Sequence, residues 1–409
     1  MTNRTISSFA VVLASAFAAA PGFAQTPSLA AGATAPAATA TTPDSASKQP
    51  AAKQDSTPKP EFKPSWNFSA WIFGAYNYQT DSTTKAVNNG NPTSKFTVDR
   101  AYLTFRGMVA PDWGFRVTTD VVTLGSGAGY SGLTIRLKYA WMQWDFAHAA
   151  DPNDMSGFAR IGQITTVAID NEERFWPRWI QKTGLEYWAI QPSSADLGAG
   201  AQLNLPGKWG NAYFVLDNGT GYSVANDADR YKDAALRLSL TPMGKSTGLW
   251  KTLELNGWYQ VGRSQNTFAT GPGAYKAGLE NNSYGVFLGN ADPRFQFGFD
   301  YAERITQSVK ASDSSIVDNT AKLTDGFVVV RPFLFNDPKG TPLGVILRYD
   351  TYQGNTNVST KNHLFIATLF YDVAKSSSLG ISYQGQTQAS PSSPLADKTI
   401  WQLNYQITF

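Results

Sequence analysis

Five basic side chains recur at alternate positions in three consecutive stretches of the chain: Arg100 and Arg106, then Arg116, then Arg136 and Lys138. One acid, Asp120, falls in the same phase. Alternate residues of an extended strand share a face, so if the three stretches are neighbouring strands, these charges project from one wall. Guanidinium and ammonium groups on a water-facing wall replace part of the hydration that a passing anion sheds, which is ion selection rather than bond making. The residue types for covalent chemistry are scarce. Cysteine is absent, which removes thiol nucleophiles, cysteine-ligated zinc and disulfides together. The two histidines, His148 and His363, lie far apart, one in a predicted turn and one near a predicted strand end. There is no Gly-x-Ser-x-Gly elbow and no Gly-x-x-x-x-Gly-Lys-[Ser/Thr] loop. Asp151-Pro152-Asn153-Asp154 has turn chemistry rather than the look of a cation site. The expectation is therefore no enzyme, no cofactor and no metal. A net charge of +3, from 34 basic and 31 acidic residues, also excludes a nucleic-acid binder driven by bulk charge.

A second group of charges sits in the segment 168–195, between two predicted strands. It carries Glu172, Glu173, Arg174, Arg178, Lys182 and Glu186 among Phe175, Trp176, Trp179, Tyr187 and Trp188. A fully solvated loop has no use for so many large aromatics, so this one must pack against something. The reading is an inward-folded third loop that narrows a barrel; packing over the rim or a neighbouring subunit is the alternative.

The elements that position these residues are strands. From Trp66 onward, segments of about ten residues alternate apolar and polar positions and end in turn residues. Sixteen candidates fall near 66–79, 96–109, 113–124, 133–146, 157–167, 196–206, 210–218, 231–241, 250–263, 282–291, 294–306, 322–335, 342–353, 362–373, 378–387 and 398–409. Short turns such as Pro111-Asp112 alternate with mostly longer connections such as 80–95, 168–195, 264–281 and 307–321. That asymmetry predicts an all-β fold: a transmembrane up-and-down antiparallel β-barrel with short periplasmic turns and long external loops. The aromatic fraction of 13% gains a role, because Tyr and Trp favour the membrane–water boundary. Apolar residues then face lipid: Ala101, Leu103, Phe105 and Val109 point out, with Arg100, Tyr102, Thr104, Arg106 and Met108 in. A charge on the lipid face at mid-bilayer costs ~2–4 kcal/mol, which favours the inward assignment of the basic residues. Asp99 takes the outward phase, near the external rim. Arg237, Arg304 and Arg348 fall on inward positions with Glu254, Asp300 and Asp350, while Arg160, Arg331 and His363 lie in strands that alternate poorly.

Met1–Ala24 reads as a signal peptide, with Arg4, the apolar Phe9–Ala20 and the small residues around Gly22-Phe23-Ala24. Residues 25–65, rich in Ala, Pro, Thr and Lys, cannot bury enough apolar surface to offset their ordering entropy and read as a disordered periplasmic tether. Residues 66–409 are then the barrel domain.

In the last strand Trp401, Leu403, Tyr405, Ile407 and Phe409 occupy one face, and the sequence closes on Phe409. This resembles the C-terminal signature of outer-membrane barrels, which implies recognition by the barrel-assembly machinery. Val98-Asp99-Arg100-Ala101-Tyr102-Leu103-Thr104-Phe105-Arg106-Gly107, the Pro111-Asp112 turn and Gly162-Gln163 before the long loop resemble the bacterial outer-membrane porins of the phosphate-selective porin O/P family. The resemblance spans 66–409 and implies a sixteen-stranded homotrimer whose third loop enters the pore and whose basic side chains guide anions. Arg100 matches the family's arginine before the Ala-x-Leu run; Arg106, Arg116, Arg136 and Lys138 occupy compatible positions, and Asp120 closes the matching strand. The third loop departs from the family in its glutamates.

The resulting expectation is an outer-membrane porin of a Gram-negative bacterium, passing small hydrophilic solutes by passive diffusion with mild anion preference. A phosphate- or anion-selective porin is the alternative, and a non-conducting adhesin or structural anchor a weaker one. Expected partners are outer-membrane lipid and lipopolysaccharide, the assembly machinery, further copies in a trimer, and solutes in transit.

Overall fold

The computed structural model describes residues 61–409 apart from 124–131, 149–150, 152–153, 225–226, 228–229, 269–274, 311–312, 314, 338–339, 375–376 and 389–396. The expected signal peptide and nearly all of the expected tether lie outside the described residues; Ser65, the last tether residue, opens the first strand.

Strands dominate: β1 Ser65–Gln79, β2 Thr93–Ala110, β3 Trp113–Thr123, β4 Leu133–Ala147, β5 Ser156–Thr165, β6 Ala195–Asn204, β7 Gly210–Asp217 and β8 Asp233–Leu240. After an interrupted strand β9, Glu254–Val261 with Arg263–Phe268, come β10 Tyr275–Asp292, β11 Phe295–Val309, β12 Ile316–Val330 and β13 Leu343–Gln353. The last three are β14 Asn362–Ala374, β15 Ser377–Gln388 and β16 Lys398–Thr408. Both segments of β9 pair antiparallel with β10 on either side of Gly262, so the seventeen hydrogen-bonded segments make sixteen strands. Each strand pairs with its sequence neighbours, and β16 returns to β1 from Trp71 opposite Thr408 to Gln79 opposite Ile400. Ala70 and Phe409 exchange backbone hydrogen bonds of 2.8 and 3.1 Å, which fastens Phe409 into the seam. Closure removes the unpaired edge that an open sheet would present. No helix among the described residues is long and apolar enough to cross a membrane.

The expected alternation holds on the first strands. Leu103, Phe105, Val117, Ile135 and Leu137 are exposed on the outside, while Tyr102, Thr104, Thr118, Asp120 and Lys138 are buried inside. In β16, Trp401, Leu403, Ile407 and Phe409 are exposed, Tyr405 is half-buried, and Asn404 is buried on the inner face. Two bulges adjust the phase. Between β1 and β2 the register passes from Arg100 opposite Phe73 to Val98 opposite Gly74, leaving Asp99 unpaired. The expected outward placement of Asp99 is thereby overturned: the extra residue turns its carboxylate to Thr97 and into the field of Arg178. Between β3 and β4 the register skips Lys138, so Lys138 and Tyr139 both face inward.

Several boundaries differ from expectation. The strand expected at 250–263 starts at Glu254, and its second segment extends into the expected loop 264–281. Likewise β11 and β12 run through most of the expected loop 307–321, and the strand expected at 322–335 stops at Val330 before a 3₁₀ turn, Pro332–Phe335. Beyond the apolar belt both faces of a strand meet water, so pairing continues without an alternating signature.

The hydrophobic core lies inside the barrel. Val167, Ile169, Phe175, Trp176, Trp179, Ile180, Leu185, Trp188 and Ile190 of the third loop are buried against Phe287, Leu323, Phe327, Ile346, Ile366 and Phe370 of the strands. The first loop carries α1, Ser82–Val87, whose N-terminus is capped by Asp81 accepting from Thr84 N at 2.8 Å.

Candidate functional site

The register of β2, β3 and β4 builds the basic wall. It sets Arg106 opposite Arg116, Tyr102 opposite Asp120, and Asp120 opposite Arg136. Asp120 Oδ2 accepts from Arg100 at 3.3 Å, from Arg136 at 3.2 Å and from the Tyr222 hydroxyl at 3.0 Å. Tyr222 comes from the loop after β7, and the Arg136 guanidinium lies 4.6 Å from its ring centre. One acid therefore answers two of the expected pore cations. Lys138, fully inside, donates to the Tyr102 hydroxyl at 3.3 Å and lies 4.3 Å from that ring.

Nearer the short-turn end the compensation stops. Arg116 Nε reaches Thr118 at 3.0 Å, and its guanidinium lies 4.3 Å from the Tyr139 ring. Arg160 of β5, unassigned in the sequence, also faces inward: Nε donates to Gln143 at 2.7 Å, and Trp141 and Phe158 flank it at 4.3 and 4.1 Å. No carboxylate among the described residues pairs with Arg106, Arg116 or Arg160. Like charges directly opposed across a sheet are unfavourable, so Arg106 and Arg116 are together at an energetic cost. Both line two recesses. The first, about 240 Å³, has Lys138 and Tyr139 on its strand side and Asp170 and Glu173 of the third loop on the other. The second, about 520 Å³, adds Arg160, Trp141 and Gln143 and has no acidic lining.

The third loop leaves β5 after Thr165; within the strand, Gly162 has a φ of +120° that suits glycine, and its missing side chain lets the Ala140 carbonyl approach. Within the loop are two single turns, α2 Ile169–Glu172 and α3 Gly184–Tyr187. Three arginines of the opposite wall each donate to a loop carbonyl: Arg237 to Val167 at 2.6 Å, Arg304 to Ala189 at 2.8 Å and Arg348 to Lys182 at 2.6 Å. Aromatic contacts close the rest, with Phe175 5.0 Å from Phe287, Trp176 5.0 Å from Phe327 and Trp188 stacked 4.7 Å from Tyr352. The loop is thus fixed inside the barrel, against the wall that faces the basic one.

Its charged residues mostly satisfy one another. Arg178 pairs with Glu173 at 3.0 Å and Glu186 at 2.9 Å, and Lys182 with Glu186 at 3.1 Å. Burial alone would raise the Glu186 carboxyl, but Arg178 and Lys182 hold it below the usual carboxylate range. Arg174 bonds Glu254 at 2.6 Å, and Asn171 bonds the same carboxylate at 2.8 Å. Glu172 is buried under the loop, where burial, Asp300 and Asp325 push it well above the usual range. Of the six charged loop residues expected at the constriction, Glu173 lines the smaller recess, joined there by Asp170. Asp170, Tyr222 and Asp325 carry no signal in the sequence that marks them for the site, and Arg160, whose direction the strand pattern leaves open, joins the basic wall. Arg237, Arg304 and Arg348 had the expected inward phase, but nothing in the strand pattern indicates a loop carbonyl as their partner. Arg331 proves to pair with Asp372 at 2.8 Å beyond the strand end, and His363 bonds Tyr349 at 2.9 Å.

No family model matches this sequence, and no curated protein does. The fold nevertheless matches solved barrels. The anion-selective porin from Comamonas acidovorans aligns over 85% of this chain and 100% of its own, with TM-score 0.56 and 10% identity. The outer membrane channel DcaP of Acinetobacter baumannii aligns over 85% and 97%, with TM-score 0.54 and 13% identity. OmpT of Vibrio cholerae, solved in a trimer form, aligns over 85% and 99%, with TM-score 0.52 and 12% identity. The chain therefore has the closed sixteen-stranded antiparallel barrel of the outer-membrane porins. The likeness is to that class of fold and does not single out the phosphate-selective O/P family.

Proposed function

We propose that the protein is a passive outer-membrane channel for small hydrophilic solutes with a mild preference for anions. The observation that carries this reading is the opposed Arg106–Arg116 pair, inward-facing, without a carboxylate and shared by both recesses. A cationic neck lowers the barrier for anions, and its cost is tolerable only where water reaches it. In the first recess Asp170 and Glu173 face the bases, an arrangement that orients polar solutes and moderates ion preference. A phosphate- or anion-selective pore is the second reading, favoured by the wholly basic charge of the larger recess. A barrel used only as adhesin or anchor needs no such neck.

The same reading assigns 1–24 to export, 25–65 to a periplasmic tether, and Trp401, Leu403, Tyr405, Ile407 and Phe409 to recognition by the assembly machinery. It places the barrel in lipid and lipopolysaccharide as a homotrimer. Purified protein added to planar lipid bilayers should raise the current in discrete steps. Full insertion without conductance would favour the anchor, and a single step size divisible into no substates would count against the trimer.

A further inference from the structure

Behind the third loop four carboxyl groups meet one guanidinium. Asp300 of β11 is directly opposite Asp325 of β12, and Asp325 is directly opposite Asp350 of β13, so the three form a row across adjacent strands. Glu172 of the loop lies on this row, within hydrogen-bond reach of Asp300. Glu172, Asp300, Asp325, Asp350 and Arg348 are all buried. Arg348 is committed to Asp350, at 2.7 and 2.6 Å, and to the Lys182 carbonyl; Asp350 also accepts from Trp188 Nε1 at 2.8 Å. Tyr187 is the remaining titratable group beside Asp350, and its hydroxyl donates to Gln386 at 3.0 Å. That leaves Glu172 Oε1 and Asp325 Oδ2 buried with no donor, and Asp300 buried with no side-chain donor or counter-charge, only the backbone N–H of Tyr301 being near it. The loop backbone presses on the same group: a methyl at Gly184 would overlap the Asp325 carboxylate.

Buried carboxylates without a donor or a counter-charge are among the most costly arrangements in a protein. Two acids within hydrogen-bond reach resolve it by keeping a proton, since a protonated carboxyl donates to its ionised neighbour. We propose that Glu172, Asp300 and Asp325 form a proton-binding site whose protons clamp the third loop to the β11–β13 wall. The sign follows from the proton count. A carboxyl that holds its proton more tightly in the clamped state contributes fully at low pH and loses that contribution as pH rises through its clamped-state titration. Once deprotonated, the row opposes Glu172 with like charge, and the released acidic loop is drawn toward Arg106, Arg116 and Lys138 across the lumen.

The test combines infrared spectroscopy and single-channel current on the full-length protein in lipid at neutral and alkaline pH. The infrared measurement is independent of conduction; the current measurement rests on the channel reading. The expected result is a protonated-carboxyl C=O band at neutral pH, weakened in both Asp300→Asn and Glu172→Gln, with loss of open-channel current at alkaline pH. Asp300→Asn, which mimics the protonated form, should keep the current open at alkaline pH, whereas Gly184→Ala should close it already at neutral pH. Absence of the band in the wild type, or alkaline closure unchanged in both amide variants, would overturn the proposal. A band with no conductance at any pH would leave the clamp standing and reject the channel reading.

Discussion

Arg106 and Arg348 are both inward arginines on neighbouring-strand walls, yet the two walls handle them in opposite ways. On the β2–β5 side Arg106, Arg116 and Arg160 face the lumen without a carboxylate, and Arg106 is exposed to it. On the β11–β13 side Arg348 is buried, bidentate to Asp350 and bonded to a loop carbonyl. Water makes the difference. Where the third loop covers the wall, every charge must find a protein partner or a proton; where the wall is open, solvent screens uncompensated charge and leaves it available to a solute. The lumen is thus divided into a sealed structural half and an open electrostatic half.

Truncating the two arginines should break the comparison most visibly in stability. Arg348→Ala leaves Asp350 buried and short of its partner, and should cost about 3–5 kcal/mol in urea titrations of the lipid-reconstituted protein. Reversing charge on the open wall with Arg106→Glu and Arg116→Glu should leave the fold intact and change the sign of the zero-current potential in a salt gradient. A smaller shift in the opposite direction is expected for Asp120→Asn, which frees part of Arg100 and Arg136 and should strengthen anion preference, read from the same potential. The smallest effect is that of Arg106→Ala on stability: relief of like-charge opposition should offset the lost packing to within about 1 kcal/mol. Equal destabilisation by Arg106→Ala and Arg348→Ala would erase the distinction between the walls.

The same contrast explains what could be read from the sequence. On β2–β4 and β16 one face meets water and the other lipid, so Leu103, Phe105, Val117, Trp401 and Leu403 announce the outside and the charged residues the inside. On β12–β14 the inner face carries Leu323, Phe327, Val329, Ile346, Leu364 and Ile366, because the third loop supplies a second apolar layer. Both faces are then hydrophobic and the period-two signal fades, which is why Arg331 and His363 resisted assignment. The aromatics of the loop correctly indicated packing, but most of its wall partners lie far along the chain, 70 positions apart for Arg237–Val167 and 203 for Gln181–Gln384, and no local pattern encodes them. Bulges hid Asp99 for a related reason: one unpaired residue shifts the phase without leaving a compositional mark. The strand-edge extension at Ile316–Val317 carries no amphipathic signal because both of its side chains are exposed.

On the proposed channel reading, an uncompensated basic wall, rather than net charge, sets what the barrel passes. The most direct measurement is the zero-current potential of the wild-type protein in a planar bilayer across a potassium chloride gradient. The arrangement of Arg106, Arg116, Arg160 and Lys138 against Asp170 and Glu173 predicts a potential of the sign set by chloride, modest in size. A potential of the sign set by potassium would contradict it.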